Sequence, residues 1–257
     1  MILDRIVERK KEEVGLLRKN GIILPAEFSD ENFDSPRGFK HALEQYDGVA
    51  IIAEVKKASP SKGVICEDFA PREIALNYQN NGAQAVSVLT DVDFFQGSLS
   101  HMMQVRQAVS LPVLRKDFII DEIQIEEASA HGADAILLIA AILSSSQITE
   151  YKQMARELGM DSLVEIHNEV ELELAMDADA DLIGINNRNL SDFSVDINTT
   201  FRLKRLIPQS IPVVSESGLK SAADLELLKR NGICAALIGE SLMRAGQDST
   251  MLGGLRG

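Results

Sequence analysis

The sequence predicts an α/β protein: a (β/α)8 (TIM) barrel with an N-terminal helical extension. Three observations predict it. Eight short apolar runs alternate with amphipathic helical patterns, the lead-in to the even-numbered runs repeats, and neither GxGxxG nor GxxxxGK[ST] occurs. Uninterrupted apolar strands between helices require a parallel sheet covered by helices. Eight such units favour closure into a barrel over an open doubly wound sheet, which usually has fewer strands and a glycine-rich dinucleotide loop.

Taken in order, residues 3–19 place Leu3, Ile6, Val7, Val14 and Leu17 at roughly helical spacing with Arg, Lys and Glu between them, which predicts a helix with one apolar side. Residues 25–38, with Pro25, Pro36 and Gly38, read as a connecting loop before FKHALEQY resumes a helical pattern to about Tyr46. Residues 1–48 are therefore an extension of a single domain covering 1–257. Its simplest role is a cover packed on the barrel, with a lid over a site as the alternative.

Strands are expected at 49–55, 84–90, 111–115, 134–140, 161–166, 181–186, 211–215 and 234–239, each followed by a helix. The even-numbered ones are entered through NGAQAVSVLT, HGADAILLI, ADADLIGI and NGICAALIG, and two odd-numbered ones through LPVL and IPVV. A Gly or Asp that ends a helix before a small residue and an apolar run thus recurs every second unit, as in a chain built from repeated strand–helix pairs.

Composition excludes several classes. Of the 257 residues 45% are hydrophobic and 25% charged, the balance of a soluble globular enzyme. No run approaches the roughly 20 uncharged apolar residues of a membrane span, and the charged amphipathic start is no signal peptide, so a cytoplasmic location is expected. Cys66 and Cys234 have no CxxC partner and predict neither disulfides nor a zinc site. A net charge of −13 argues against nucleic acid or an anionic membrane as partner. A bound phosphate must find its attraction locally.

In AIIAEVKKASPSKGVI, residues 50–65, the first apolar run ends in charge and a turn. Side chains alternate along a strand, so Glu54 and Lys56 share one face and Val55 and Lys57 the other. Active sites of such barrels lie at the carboxyl ends of the strands. Those ends carry Glu54 and Lys56, Asp91, Arg115 and Lys116, Glu165, Asn186 and Arg188, Glu216 and Ser217, and Gly239 with Glu240. Strand 4 ends apolar, in LLIAAIL. Carboxylates and ammonium groups around an apolar wall suit a substrate with a flat apolar part and an anionic part.

SESGL (215–219) and IGESLM (238–243) place Gly218 and Gly239 just after strands 7 and 8, where backbone N–H groups and a helix N-terminus can face a phosphate. The four histidines, His41, His101, His131 and His167, form no recognised ligand spacing and read as surface or capping residues. No metal is expected. With no GxSxG or Cys–His arrangement, the residues point to acid–base catalysis by Lys and Glu without a cofactor.

AEVKKASPSKG, LTDVDFFQGS, PVLRKDFIID, LVEIHNEVELELA, IGINNRNL, SESGL and GESLM, in this order, resemble the blocks of the indole-3-glycerol phosphate synthase family of tryptophan biosynthesis over residues 1 to about 246. The chain ends after one barrel, so no fused isomerase domain is expected. The resemblance implies ring closure of 1-(2-carboxyphenylamino)-1-deoxyribulose 5-phosphate with loss of carbon dioxide and water. It makes Lys116 the proton donor to the ketone, aided by Lys56, and gives Glu165 and Glu54 the acid and base roles of dehydration. It implies that Asn186, Arg188, Glu216 and Ser217 orient the substrate and the catalytic lysine. Ser59, Gly218, Gly239 and the backbone N–H of Glu240 would surround the phosphate, and Phe95, Phe118, Leu137 and Ile139 the anthranilate ring. It implies no cofactor and a monomer, with other enzymes of the pathway as candidate partners.

Two other readings compete. A phosphosugar isomerase like phosphoribosylanthranilate isomerase would share the phosphate site but would not need two Lys and three Glu around an aryl pocket. A catalytically silent barrel in a multienzyme complex would have lost those residues, which are intact here.

Overall fold

The computed structural model describes residues 2–29, 33–190, 192–245 and 250–255. Among these, eight parallel strands close on themselves: β1 (Ala50–Val55), β2 (Ala85–Leu89), β3 (Val113–Lys116), β4 (Ala135–Ile139), β5 (Asp161–Ile166), β6 (Ile183–Asn186), β7 (Val213–Glu216) and β8 (Ala235–Ile238). Each pairs with its sequence neighbour, and β1 closes the ring against β8 with Ala50 opposite Ala235. The (β/α)8 expectation is met. β3 and β7 start two residues later than expected because Pro112 and Pro212 have no N–H to give the ladder.

Every lead-in phrase of the even-numbered strands contains a residue in the left-handed region: Gly82 (φ 88°), Gly132 (φ 78°), Asp179 (φ 53°) and Gly232 (φ 67°). Each ends a helix and turns the chain into the next strand. Gly159 (φ 78°) does the same before β5, which the repeat had not included.

The barrel interior is filled by Ala50, Ile52, Ala85, Leu114, Ala135, Leu137, Leu163, Val214 and Leu237. Their neighbours Ile51, Ala53, Val55, Val86, Val88, Val113 and Val164 face the helices instead. Parity is thereby fixed. Continued by two residues, the inward sets of β1, β3, β5 and β7 arrive at Glu54, Lys116, Glu165 and Glu216.

The extension closes both ends. α1 (Ile2–Asn20) crosses the carboxyl ends of the strands, and α2 (Phe39–Glu44) plugs the opposite end by sinking Phe39 and Leu43 into the interior cluster. α2 stops two residues short of Tyr46. The plug is pinned by the backbone N–H groups of Arg37 and Lys40, which donate to Asp134 (2.7 Å) and Asp161 (2.8 Å) at the starts of β4 and β5. The stretch after β1 folds into a small hairpin, Ala58–Ser59 against Gly63–Val64, whose turn lies over the cleft.

Candidate active site

A cavity of about 700 Å³ opens at the carboxyl ends of the strands. On its floor the Lys116 ammonium lies 2.5 Å from Glu216 Oε2 and 2.9 Å from Glu165 Oε2. Across from them Lys56 Nζ is 2.5 Å from Glu54 Oε2, as the shared strand face predicts. Ser217 Oγ donates to Asn186 Oδ1 (3.0 Å), which also accepts the Arg188 backbone N–H (3.0 Å). Two glycines make room for this floor. A Cβ at Gly184 would come within 2.2 Å of Glu216 Oε1, and one at Gly239 within 2.1 Å of Glu54 Oε2.

Burial and partners set the charge states. Burial opposes the charge of Lys116, but Glu165, Glu216 and Glu54 outweigh it and hold the ammonium protonated well above the ordinary lysine range. Burial also pushes the Glu165 carboxyl up, yet Lys116 and His167 pull harder, and it stays ionised below the usual carboxylate range. For Glu216 burial wins, with Glu165 adding to the rise against Lys116. Two buried carboxylates on one ammonium therefore differ, one an anion and the other ready to hold a proton.

One wall of the cleft is apolar. Phe95 and Phe118 stand with ring centroids 6.0 Å apart, and Leu137, Ile139, Leu89 and Leu237 continue the wall. Ile2, Leu3 and Ile6 of α1 line the same cavity, so the extension is part of it.

Ser59, Lys62, Gly218, Gly239, Glu240 and Arg244 also line the cavity. Glu240 opens helix α3 (Glu240–Ala245) directly after β8, and its carboxylate faces Arg188 (3.7 Å) and Arg244 (3.1 Å). The strand 7 side departs from expectation. The helix after β7 starts only at Ala222, and its N-terminus is closed by its own capping box of Ser221 and Asp224. Gly218 therefore offers loop backbone, not a helix end. That loop is strained, with Ser217 at φ 68° and Gly218 at φ 84°, and Asn187 holds it by donating to Ser217 O (3.1 Å).

Two strand-end residues do not reach the cavity. Arg115 faces outward, 3% exposed, and donates to Gln124 O (2.8 Å), Thr90 Oγ1 (3.2 Å), Asp117 (3.2 Å) and Glu127 (2.9 Å). Asp91 accepts the backbone N–H of Phe94 (2.8 Å) and Phe95 (3.2 Å) and so shapes the turn that presents Phe95. The sequence reading missed Lys10, which lies 3.0 Å from Asp91 and 2.9 Å from Asp117. The available signal was its i, i+4 spacing to Ile6 and Val14 on the buried stripe of α1. From the sequence His167 reads as a surface or capping residue. It lies instead against Glu165, just past the end of β5, with Nε2 3.4 Å from Glu165 Oε1.

Comparison with known proteins places these features in a family. The family model described as indole-3-glycerol phosphate synthase matches residues 3–252. The chain is 62% identical to the indole-3-glycerol phosphate synthase of Desulfotalea psychrophila, over 98% of this chain and 96% of that one. It is 51% identical to the enzyme of the same name from Chlorobium chlorochromatii, over 93% and 94%. Among solved structures, N-acetylmannosamine-6-phosphate 2-epimerase from Clostridium perfringens superposes with a TM-score of 0.60 at 14% identity, covering 77% of this chain and 89% of that one. KGPDC from Streptococcus mutans gives 0.60 at 11%, covering 82% and 95%. At such identity these two show the barrel alone.

Proposed function

The chain belongs to the indole-3-glycerol phosphate synthase family of tryptophan biosynthesis, and we propose that the groups on the cleft floor divide its three chemical steps between two ion pairs. The observation that carries this reading is the Lys116 ammonium held between Glu165 and Glu216 beneath an aromatic wall.

Ring closure needs an electron-rich aryl carbon to attack a ketone carbon while negative charge gathers on the ketone oxygen. Lys116 is the donor for that oxygen, since a developing alkoxide is more basic than even a stabilised lysine. Phe95 and Phe118 hold the anthranilate ring, and Arg188 draws its carboxylate. The bond from ring carbon to carboxyl then breaks, the electron pair stays in the ring, and aromaticity returns with loss of carbon dioxide.

Dehydration calls on both pairs. In the Glu54–Lys56 pair Lys56 Nζ donates to Glu54 Oε2 (2.5 Å), and this pair is the acid for the departing hydroxyl. Glu165, kept ionised by Lys116, is the base that takes the proton from the nitrogen–methylene side of the new ring. Asn186 and Ser217 orient the ribulose hydroxyls. The phosphate lies at the backbone of Gly218, Gly239 and Glu240 with Ser59, where Lys62 and Arg244 supply local positive charge in an acidic protein.

All these groups come from one chain, so the reading requires no partner subunit. Among the described residues no helix is long and apolar enough to cross a membrane, and we place the reaction in the cytoplasm. The test is to mix purified protein with the carboxyphenylamino-deoxyribulose phosphate, without added metal or cofactor, and to follow indole fluorescence. Turnover is expected, and no signal in any buffer would overturn the reading.

A further inference from the structure

His167 does not line the cavity. Its ring stands behind Glu165, with Nε2 3.4 Å from Glu165 Oε1, a contact without hydrogen-bond alignment that leaves Nε2 buried and unbonded among the described residues. Nδ1 is anchored 2.9 Å from Glu171 Oε2. The same oxygen accepts the His167 backbone N–H (2.7 Å), and the Asn168 amide donates to Glu171 Oε1 (2.7 Å). The far side of the ring is thus fixed by three hydrogen bonds in the first turn of the helix after β5. The near side is aimed at a carboxylate already read as the base.

The proton balance of the proposed reaction gives that arrangement a use, so this inference rests on the proposed function. The ketone oxygen leaves as water and takes two protons. The closing ring returns one, as the methylene beside nitrogen becomes an indole C–H. The C–C bond to the carboxylate breaks without proton transfer. Each turnover therefore consumes one proton, at a floor that bound substrate separates from solvent.

We propose that His167 is the positioning residue of Glu165 and the reservoir that stores the proton reloading Lys116, anchored for the purpose by Glu171. The imidazolium passes its Nε2 proton to Glu165 Oε1 and keeps its Nδ1 proton on Glu171. Glu165, through Oε2 at 2.9 Å, reloads Lys116. When product leaves, the proton that Glu165 took from the methylene returns to Nε2, and water entering the open cleft reloads the Glu54–Lys56 pair, which is the one proton taken up per turnover. The charged groups facing the ring suit this. They are Glu165 from β5, Glu171 from the following helix and Glu216 from β7, with Lys116 from β3 beyond Glu165. Burial opposes the imidazolium, but the Glu171 hydrogen bond and these carboxylates outweigh it, and His167 titrates above its ordinary range.

The sign of the pH dependence follows. The reservoir is full below the raised His167 value and empties as pH rises through it. His167→Gln can keep the bond to Glu171 but cannot store the proton. Its kcat should fall on the order of 10-fold, less than the ~10²-fold minimum for losing a direct general acid, with KM within about twofold. The wild-type alkaline limb should disappear, the two enzymes converging at high pH. A His167→Gln enzyme with unchanged kcat and an unchanged alkaline limb would overturn the proposal, since a ring that only ties β5 to its helix would move melting temperature alone. Imidazole NMR titration needs no turnover and separates this proposal from the functional reading. The His167 midpoint should drop in Glu165→Gln and in Glu171→Gln, and a midpoint that ignores Glu165→Gln refutes the coupling even if the enzyme is active. Absent turnover in the wild type refutes the reaction instead.

Discussion

The Lys10 ammonium of α1 lies 2.9 Å from the carboxylate of Asp117, the residue just after Lys116 at the end of β3. Lys10 is 2% exposed and also meets Asp91 at 3.0 Å and Glu13 at 2.7 Å, so one buried cation latches the N-terminal helix to the ends of β2 and β3. Its partners are part of the cleft architecture, because Asp91 shapes the Phe95 turn and Asp117 neighbours the proposed proton donor.

Lys10→Met should cost about 3–5 kcal/mol of stability, the usual penalty for stranding buried charges. It should also raise KM more than it lowers kcat, as Ile2, Leu3 and Ile6 lose their seat at the cavity. Burial pushes the Asp117 carboxyl up, but Lys10 and Arg115 outweigh it and hold it below the usual carboxylate range. The resulting stability is present above the unfolded carboxylate value and is lost as pH falls through the depressed folded value. Acid denaturation of Lys10→Met should therefore begin at higher pH than in the wild type. Circular dichroism at a series of pH values reads both effects.

Truncation separates the two halves of the extension. The position of all strands downstream of residue 48 suggests that removing residues 1–46 leaves a folded barrel. Phe39 and Leu43 contradict this, since both are essentially fully buried inside the barrel and losing either side chain costs about 2–5 kcal/mol. A chain beginning at residue 25 keeps the plug and should melt cooperatively at a lower temperature with weakened substrate binding. A chain beginning at residue 47 should show no cooperative melt.

Much of this was legible because the barrel repeats a few local rules. Apolar runs of strand length and left-handed glycines mark the units, and the alternation that buries Ile52 and Leu114 also aims Glu54 and Lys116 inward. What stayed hidden depends on contacts between distant segments. A lysine within a charged helix reads as solvated until Asp91 and Asp117 are seen beneath it. His167 shows its use only once the start of the next helix folds back to hold its Nδ1.

Gly239 is read from the sequence as a phosphate contact, for which Gly239→Asp is the natural probe. The 2.1 Å approach of a Cβ to Glu54 Oε2 makes that substitution ambiguous. Even Gly239→Ala must displace Glu54 from Lys56, so steady-state kinetics should show kcat falling as well as KM rising. Inorganic phosphate acting as a competitive inhibitor of the wild type checks the phosphate site without disturbing Glu54.

Arg115 looks like a mild control for Lys116, because it points to the other face of the same strand. Its burial changes that role. Arg115→Met strands Glu127 and the Gln124 carbonyl and should cost about 3 kcal/mol or more, seen as a lower melting temperature. Assayed well below its melting temperature, the variant should keep a kcat within a few-fold of wild type.

In the proposed reaction Lys116 gives its proton to the ketone oxygen in ring closure. Lys116→Met keeps the length of the side chain and its packing while removing the donor held between Glu165 and Glu216. Single-turnover kinetics with saturating enzyme, together with substrate affinity from equilibrium titration, tests it most directly. The chemical step should slow by roughly 10²- to 10⁴-fold with affinity changed far less. A variant that closes the ring at the wild-type rate and loses only affinity would make Lys116 a binding residue and pass the role of acid to Lys56.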